Sequence, residues 1–261
     1  MLTLYEHPLS PYAQKVKIAL REKDVEFKLR TPEGMGSGHA AGDFIRANPR
    51  GEVPVLIDDN FSIFDSTIIL EYIEDKWPTP SLLPSSAKER AQARMIEDVC
   101  DTQYETINGG LGELTWFRRG EGKLSEALRD KAADQTEMMQ VWLTRQLGQA
   151  DWLNGDVFGW ADISVVPYVA GSASFGLGPQ ETSPLGKWFA RMCTRKSVAT
   201  TLKESTASTS AMETVADIVK QGVFKREYRD HRLEWMIRSG GMEIVLEGLQ
   251  KDNIRFSNDF A

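Results

Sequence analysis

Basic charge is in short supply in this sequence: 31 lysines and arginines face 38 aspartates and glutamates, a net charge of -7 over 261 residues. Such a chain has no electrostatic footprint for nucleic acid or an anionic membrane, so an anionic ligand must be held by local donors. Cysteine is scarcer still. Cys100 and Cys193 stand far apart with no Cys-x-x-Cys pair, which excludes a disulfide framework and a thiolate metal cluster and leaves buried free thiols as the expectation. No apolar run approaches the roughly 20 residues needed to cross a bilayer. The opening Met1-Leu2-Thr3-Leu4-Tyr5-Glu6-His7 has neither a basic n-region nor an apolar h-region, so no signal peptide is expected and the cytoplasm is the default location. Repeats and low-complexity tracts are missing too. What remains is 41% hydrophobic and 26% charged, the composition of an ordinary globular chain, with length enough for two domains.

The pattern predicts strand Leu2–Tyr5, a helix over Ala13–Leu20 with Val16, Ala19 and Leu20 on one face, strand Glu26–Leu29, a short helix over Asp43–Ala47, a hairpin of Val53–Ile57 and Ser62–Phe64, and a helix over Ser66–Lys76. That order is a small mixed sheet flanked by helices, a thioredoxin-like α/β arrangement. Trp77-Pro78-Thr79-Pro80-Ser81-Leu82-Leu83-Pro84 breaks regular structure and reads as a linker. Strand signal then disappears. Helical patterns over 88–118, 124–147, 161–174, 184–195, 211–222, 224–238 and 241–251 predict an all-α bundle. The expected division is a domain over 1–77, a linker over 78–87 and a helical domain with an extended tail over 88–261.

Four features of the first domain carry chemistry. Ser10, in His7-Pro8-Leu9-Ser10-Pro11-Tyr12, puts a hydroxyl at a helix start whose free N–H groups favour an anion; taken alone it is a helix cap. Val53-Pro54, in Asn48-Pro49-Arg50-Gly51-Glu52-Val53-Pro54, opens a strand where a cis bond would turn the backbone of Val53 toward a cleft, to pair with an extended peptide. Its plain reading is a turn proline. Asp65-Ser66 ends a strand and begins a helix, a ready carboxylate site as well as an ordinary cap. His39 offers a donor on the intervening loop.

Each is weak alone, but the spacing of Ser-Pro-Tyr, His, Asn-Pro-x-Gly-x-Val-Pro and Asp-Ser-Thr-x-Ile-x-Glu-Tyr is specific. The chain resembles the cytosolic glutathione transferases closely over residues 2–76. The likeness continues more loosely to about residue 203 through Leu153-x-Gly155, Phe158-x-x-Ala161-Asp162-Ile163-x-x-x-Pro167 and Trp188-Phe189-x-Arg191-Met192. The resemblance implies that Ser10 hydrogen-bonds the glutathione sulfur, Val53 and Pro54 present the cysteinyl-pairing backbone, Asp65 and Ser66 hold the γ-glutamyl end, and His39 reaches the glycine carboxylate. The residue after that histidine is often lysine in the family and is Ala40 here. Asp162 matches the family's buried helix-capping aspartate, while Gly159 stands where Ser or Thr is usual, a weaker cap.

For the electrophile, the resemblance points to Leu9, Tyr12, Tyr104, Leu111, Trp116 and Phe117, and for the γ-glutamyl ammonium across a dimer interface to Asp98 and Asp101. It implies a homodimer acting with glutathione on a small apolar electrophile, with no metal. Serine in place of cysteine disfavours reductase chemistry. A glutathione-binding or assembly module without turnover, or a β-etherase or dehalogenase within the same chemistry, stays open from the sequence.

Overall fold

The computed structural model describes residues 1–34, 42–209, 215–221 and 240–251, with 212, 233 and 237 between them. Seven elements come first: β1 (Leu2–Tyr5), α1 (Pro11–Glu22), β2 (Lys28–Arg30), α2 (Asp43–Ala47), β3 (Val55–Asp58), β4 (Phe61–Phe64) and α3 (Ser66–Lys76). Then follow α4 (Ala87–Val99), a π-helical turn (Cys100–Tyr104), α5 (Glu105–Thr115), α6 (Gly122–Leu147), α7 (Trp160–Ser174), α8 (Pro184–Thr194), α9 (Lys196–Thr209), α10 (Val215–Lys220) and α11 (Met242–Gln250). The sheet order is β2-β1-β3-β4, with β1 parallel to β2 and antiparallel to β3, and β3 antiparallel to β4. This is a thioredoxin-like α/β unit followed by helices, the fold class expected.

Alternation along the strands gives the sheet two apolar faces. Leu2, Leu4, Leu56 and Ile63 meet Val16 and Leu20 of α1 and Ile69 and Ile73 of α3, while Tyr5 and Val55 meet Phe44 of α2 on the other side. The larger core lies among the helices around Tyr104, Trp160, Tyr168 and Trp188, and Ile18 and Ala19 of α1 and Leu70 of α3 belong to it. Each such side chain removed from water contributes about 1.5–3 kcal/mol. Helix α1 therefore serves both cores. The sequence pattern gives it one apolar face, but it is buried over the whole of Ala13–Leu20, including Lys15 and Lys17.

Two helical expectations need revision. The pattern over 88–118 is not one helix: α4 and α5 are separated by the π turn, in which the Asp101 C=O is taken by the Tyr12 hydroxyl at 2.7 Å, the kind of inserted tertiary partner that interrupts an α-helical ladder. Helix α9 is absent from the expected set because its run of Ser and Thr has poor helix propensity. It forms because Val198 and Leu202 pack on the helical core and because Glu204 pairs with Lys17 and Arg21 of α1. Of the patterns over 211–222 and 224–238, residues 215–220 are helix α10, and most of the second lies outside the described residues.

The linker is anchored. Glu74 accepts the N–H groups of Leu82 and Leu83 and pairs with Lys23 at 2.7 Å. Leu82 C=O accepts the Trp160 N–H, the first of α7, at 2.7 Å and the Asn154 amide at 3.3 Å. The Asp162 carboxylate, fully buried, accepts from the N–H groups of Leu153, Asn154 and Gly159 and from Trp188 Nε1. Burial still pushes its carboxyl up to about 6. A β-carbon at Gly159 would stand 2.2 Å from Leu82 O and 2.2 Å from Asn154 Nδ2. Gly159 accordingly offers no side chain to cap α7; the linker carbonyl takes the first N–H of the helix instead and occupies the space a β-carbon would need.

Candidate active site

β1 delivers the chain into His7-Pro8-Leu9-Ser10, and α1 starts at Pro11, whose missing N–H would have had no partner there. Ser10 caps the helix. Its Oγ accepts the Ala13 N–H at 3.3 Å and its C=O the Gln14 N–H at 2.9 Å. The loop is braced from within: Ser10 N–H donates to His7 C=O at 2.8 Å, Leu9 N–H to His7 Nδ1 at 3.3 Å, and Gln14 Nε2 to Pro8 C=O at 2.8 Å. Burial, with Lys17 nearby, lowers the His7 pKa, which suits a neutral ring accepting from Leu9. A hydroxyl that accepts as a cap keeps its own hydrogen to donate, so cap and anion donor are compatible roles for one side chain. The anion would also meet the positive end of α1.

The Val53–Pro54 bond is cis. Ahead of it Asn48 organises the turn, donating Nδ2–H to Glu52 C=O at 2.9 Å and accepting the Arg50 N–H at 3.0 Å, with Gly51 at φ 69°. Val53 stays half-exposed at the head of β3 while Pro54 is buried. Farther along, Asp65 is held at φ 75°, which costs a residue with a β-carbon about 1–3 kcal/mol and persists only where its surroundings impose it. Its Oδ1 accepts the N–H groups of Thr67 and Ile68 at 3.0 and 3.3 Å, capping α3 just before the buried Ser66. Two helix N-termini and the stretch at Val53 ahead of β3 thereby stand in the sheet unit. Beside the N-terminus of α1 a cavity of about 340 Å³ is lined by Leu9 and Pro11 next to Ser10, by Trp116, Pro167, Phe175, Phe189 and Leu202, and on a more polar side by Gln14 and Ser205.

The family model "Glutathione S-transferase, N-terminal domain" matches residues 4–81, and "Glutathione S-transferase, C-terminal domain" matches 114–196. Glutathione S-transferase U28 of Arabidopsis thaliana is 34% identical over 204 residues, spanning 75% of this chain and 86% of that protein. The chain belongs to the glutathione S-transferase family. Among solved structures, a glutathione S-transferase from Rhodospirillum rubrum is 29% identical with a TM-score of 0.68 over 77% of this chain and 92% of that one. Rice GST1, solved in complex with glutathione, is 26% identical with a TM-score of 0.68 over 83% and 96%.

Within this glutathione S-transferase fold, Leu9 and Trp116 of the expected electrophile residues line the cavity. Tyr104 does not: it is fully buried with its hydroxyl 2.8 Å from Ser172 Oγ, a core residue, and Leu111 and Phe117 are core as well. Tyr12 is also off the cavity wall. Its hydroxyl donates to the Asp101 C=O and so ties the first turn of α1 to the π turn, and burial with nearby carboxylates raises its pKa. Asp101 is no surface acid either, since its carboxylate takes Lys15 Nζ at 2.5 Å and Tyr168 Oη at 2.6 Å inside the chain, whereas Asp98 is exposed. His39 lies outside the described residues. Cys100 is buried and Cys193 half-buried, both free.

Sequence reasoning missed Gln14, which braces Pro8 and donates to Ser205 of α9 at 3.3 Å, and the ion pairs of Lys15 and Lys17. One signal was available. Lysines at 15 and 17 point to different faces of a helix, so a helix lodged between two layers cannot keep both in water.

Proposed function

We propose that this chain transfers glutathione to an apolar electrophile, with Ser10 donating a hydrogen bond to the glutathione sulfur and holding it as the thiolate. The observation that carries the reading is the Ser10 cap, whose hydrogen remains for donation, at the end of α1 and beside an apolar cavity. Lowering a thiol pKa from about 8.5 by about two units requires roughly 2.7 kcal/mol of preference for the thiolate. A hydrogen bond to a charged acceptor supplies about 1.5–3 kcal/mol and a helix N-terminus about 0.3–1 kcal/mol more, so no separate base is required. In this reading Val53, ahead of Pro54, pairs with the cysteinyl backbone, and Asp65, Ser66 and the α3 N-terminus hold the γ-glutamyl end. His39 receives the glycine carboxylate. Leu9 and Trp116 then face the electrophile.

The chain works in the cytoplasm as a homodimer in this proposal; Phe61, Ile68 and Met95, large apolar side chains left exposed on β4, α3 and α4, supply surface for a second copy. Sedimentation of the purified protein checks it, and a monomer at micromolar concentration counts against it. The mechanism is tested by assaying halide release, aryl-ether cleavage and conjugation on wild type and Ser10→Ala. The variant should lose about 10- to 100-fold on whichever substrate turns over, the equivalent of one charge-assisted hydrogen bond. Full rate in Ser10→Ala on every substrate discards the thiolate role.

A further inference from the structure

Glu97 of α4 is 1% exposed, and three elements meet at its carboxylate. Oε1 accepts from Lys15 Nζ of α1 at 2.5 Å and from Thr67 Oγ1 of α3 at 2.9 Å, and Oε2 accepts from Trp160 Nε1 of α7. Lys15, with none of its side chain exposed, also reaches Asp101 at 2.5 Å. In sequence Thr67 directly follows Ser66, and Lys15 lies in the second turn of the helix that Ser10 caps. A single oxygen of the helical domain therefore grips both helices whose N-termini bracket the proposed tripeptide site.

We propose that Glu97 is a positioning residue for glutathione, setting through Lys15 and Thr67 the span between Ser10 at the sulfur end and Ser66 at the γ-glutamyl end without touching the tripeptide. This rests on the function proposed above. A ligand bonded to two helix ends needs both within hydrogen-bond reach at once, and a displacement of about 1 Å at either end removes a useful bond. The contact of α1 and α3 with the sheet is mainly apolar, through Val16, Leu20, Ile69 and Ile73, with polar ties from Lys17 to Glu6 and from Tyr72 and Lys76 to Asp58, none of them shared by the two helices, and tolerates small sliding of one helix past the other. The shared carboxylate does not, because moving α1 or α3 strips a partner from a buried charge. The γ-glutamyl subsite is thus held from behind by the helical domain, and so is the helix that carries the sulfur partner.

The test compares full-length wild type with Glu97→Gln, Thr67→Val, Thr67→Ser and the double variant Glu97→Gln/Thr67→Val. Glutathione affinity is read by calorimetry and the ionisation of the bound thiol by thiolate absorbance against pH. Glu97→Gln and Thr67→Val should each weaken glutathione about tenfold and move the bound thiol's titration to higher pH. Thr67→Ser, which keeps the hydroxyl, should match wild type. The double variant should be no worse than Glu97→Gln, because both changes cut the same link. A folded Glu97→Gln with wild-type affinity and titration overturns the proposal. Should Glu97→Gln fail to fold, Thr67→Val decides in the same way, since it leaves the Lys15 pair in place. A wild type that binds no glutathione overturns the proposed function together with the positioning role, whereas binding that ignores Glu97 and Thr67 overturns the positioning role alone.

Discussion

His7 is the point at which acid reaches the Ser10 loop. Its pKa is depressed below 6.5 by burial and by Lys17, and its Nδ1 must be unprotonated to accept the Leu9 N–H. A histidine whose folded pKa is lowered contributes stability that is present above the unfolded value, about 6.5, and is lost as pH falls through the folded value. The urea midpoint of wild type should therefore drop as pH goes below about 6.5. His7→Asn, whose Oδ1 can take the Leu9 bond without titrating, should lose that part of the drop; identical pH profiles would show that His7 does not brace the loop. At this scale Ser10, Val53, Asp65 and Ser66 were legible because each sits at a boundary between elements, where capping and turn chemistry write local signals. The burial of Lys15 was not, because its partner Glu97 lies 82 residues away. Nor could Tyr12 and Tyr104 be sorted from cavity residues, since aromatic spacing on a helix is the same whether the ring faces a core or a ligand.

Elements were legible where the period was strong and obscure where tertiary contacts overrode it. The hairpin of β3 and β4 and the helix α3 follow their patterns to within about two residues, the usual uncertainty of element ends. Helix α9 had no propensity to announce it, and the π turn inside the 88–118 pattern answers to Tyr12, Lys15 and Tyr168 rather than to anything in its own five residues. The start of α7 makes the same point. Restoring the capping side chain usual in the family, by Gly159→Ser, should destabilise this chain by about 1–3 kcal/mol or more, because the new β-carbon would meet the Leu82 carbonyl at 2.2 Å. A thermal scan decides, and an unchanged or raised midpoint would mean that the linker yields readily.

The whole molecule is joined through α1. Lys15 pairs with Glu97 and Asp101, Lys17 with Glu6 just after β1 and with Glu204 of α9, Arg21 with Glu204, and Glu22 with Arg195. Removing the helical half would strip Ile18, Ala19 and Leu70 of the core they pack in and Lys15 of both its counter-charges, and re-exposing a large apolar side chain costs about 1.5–3 kcal/mol. The chain should accordingly unfold in one transition, with equal calorimetric and van't Hoff enthalpies, and a fragment over 1–77 should stay unfolded. Two separated transitions in the intact chain would contradict this coupling. The π turn has a further consequence on the same scale. An α-helix advances about 100° per residue, so the extra residue accommodated at Cys100–Tyr104 fixes the azimuth at which everything after it leaves α4. Deleting one residue there would leave a good helix but swing Asn108 and the rest of α5 around its axis, away from the cavity they now line. Change of length at this turn is thus a way for the pocket to be reshaped wholesale while every residue that faces it stays the same.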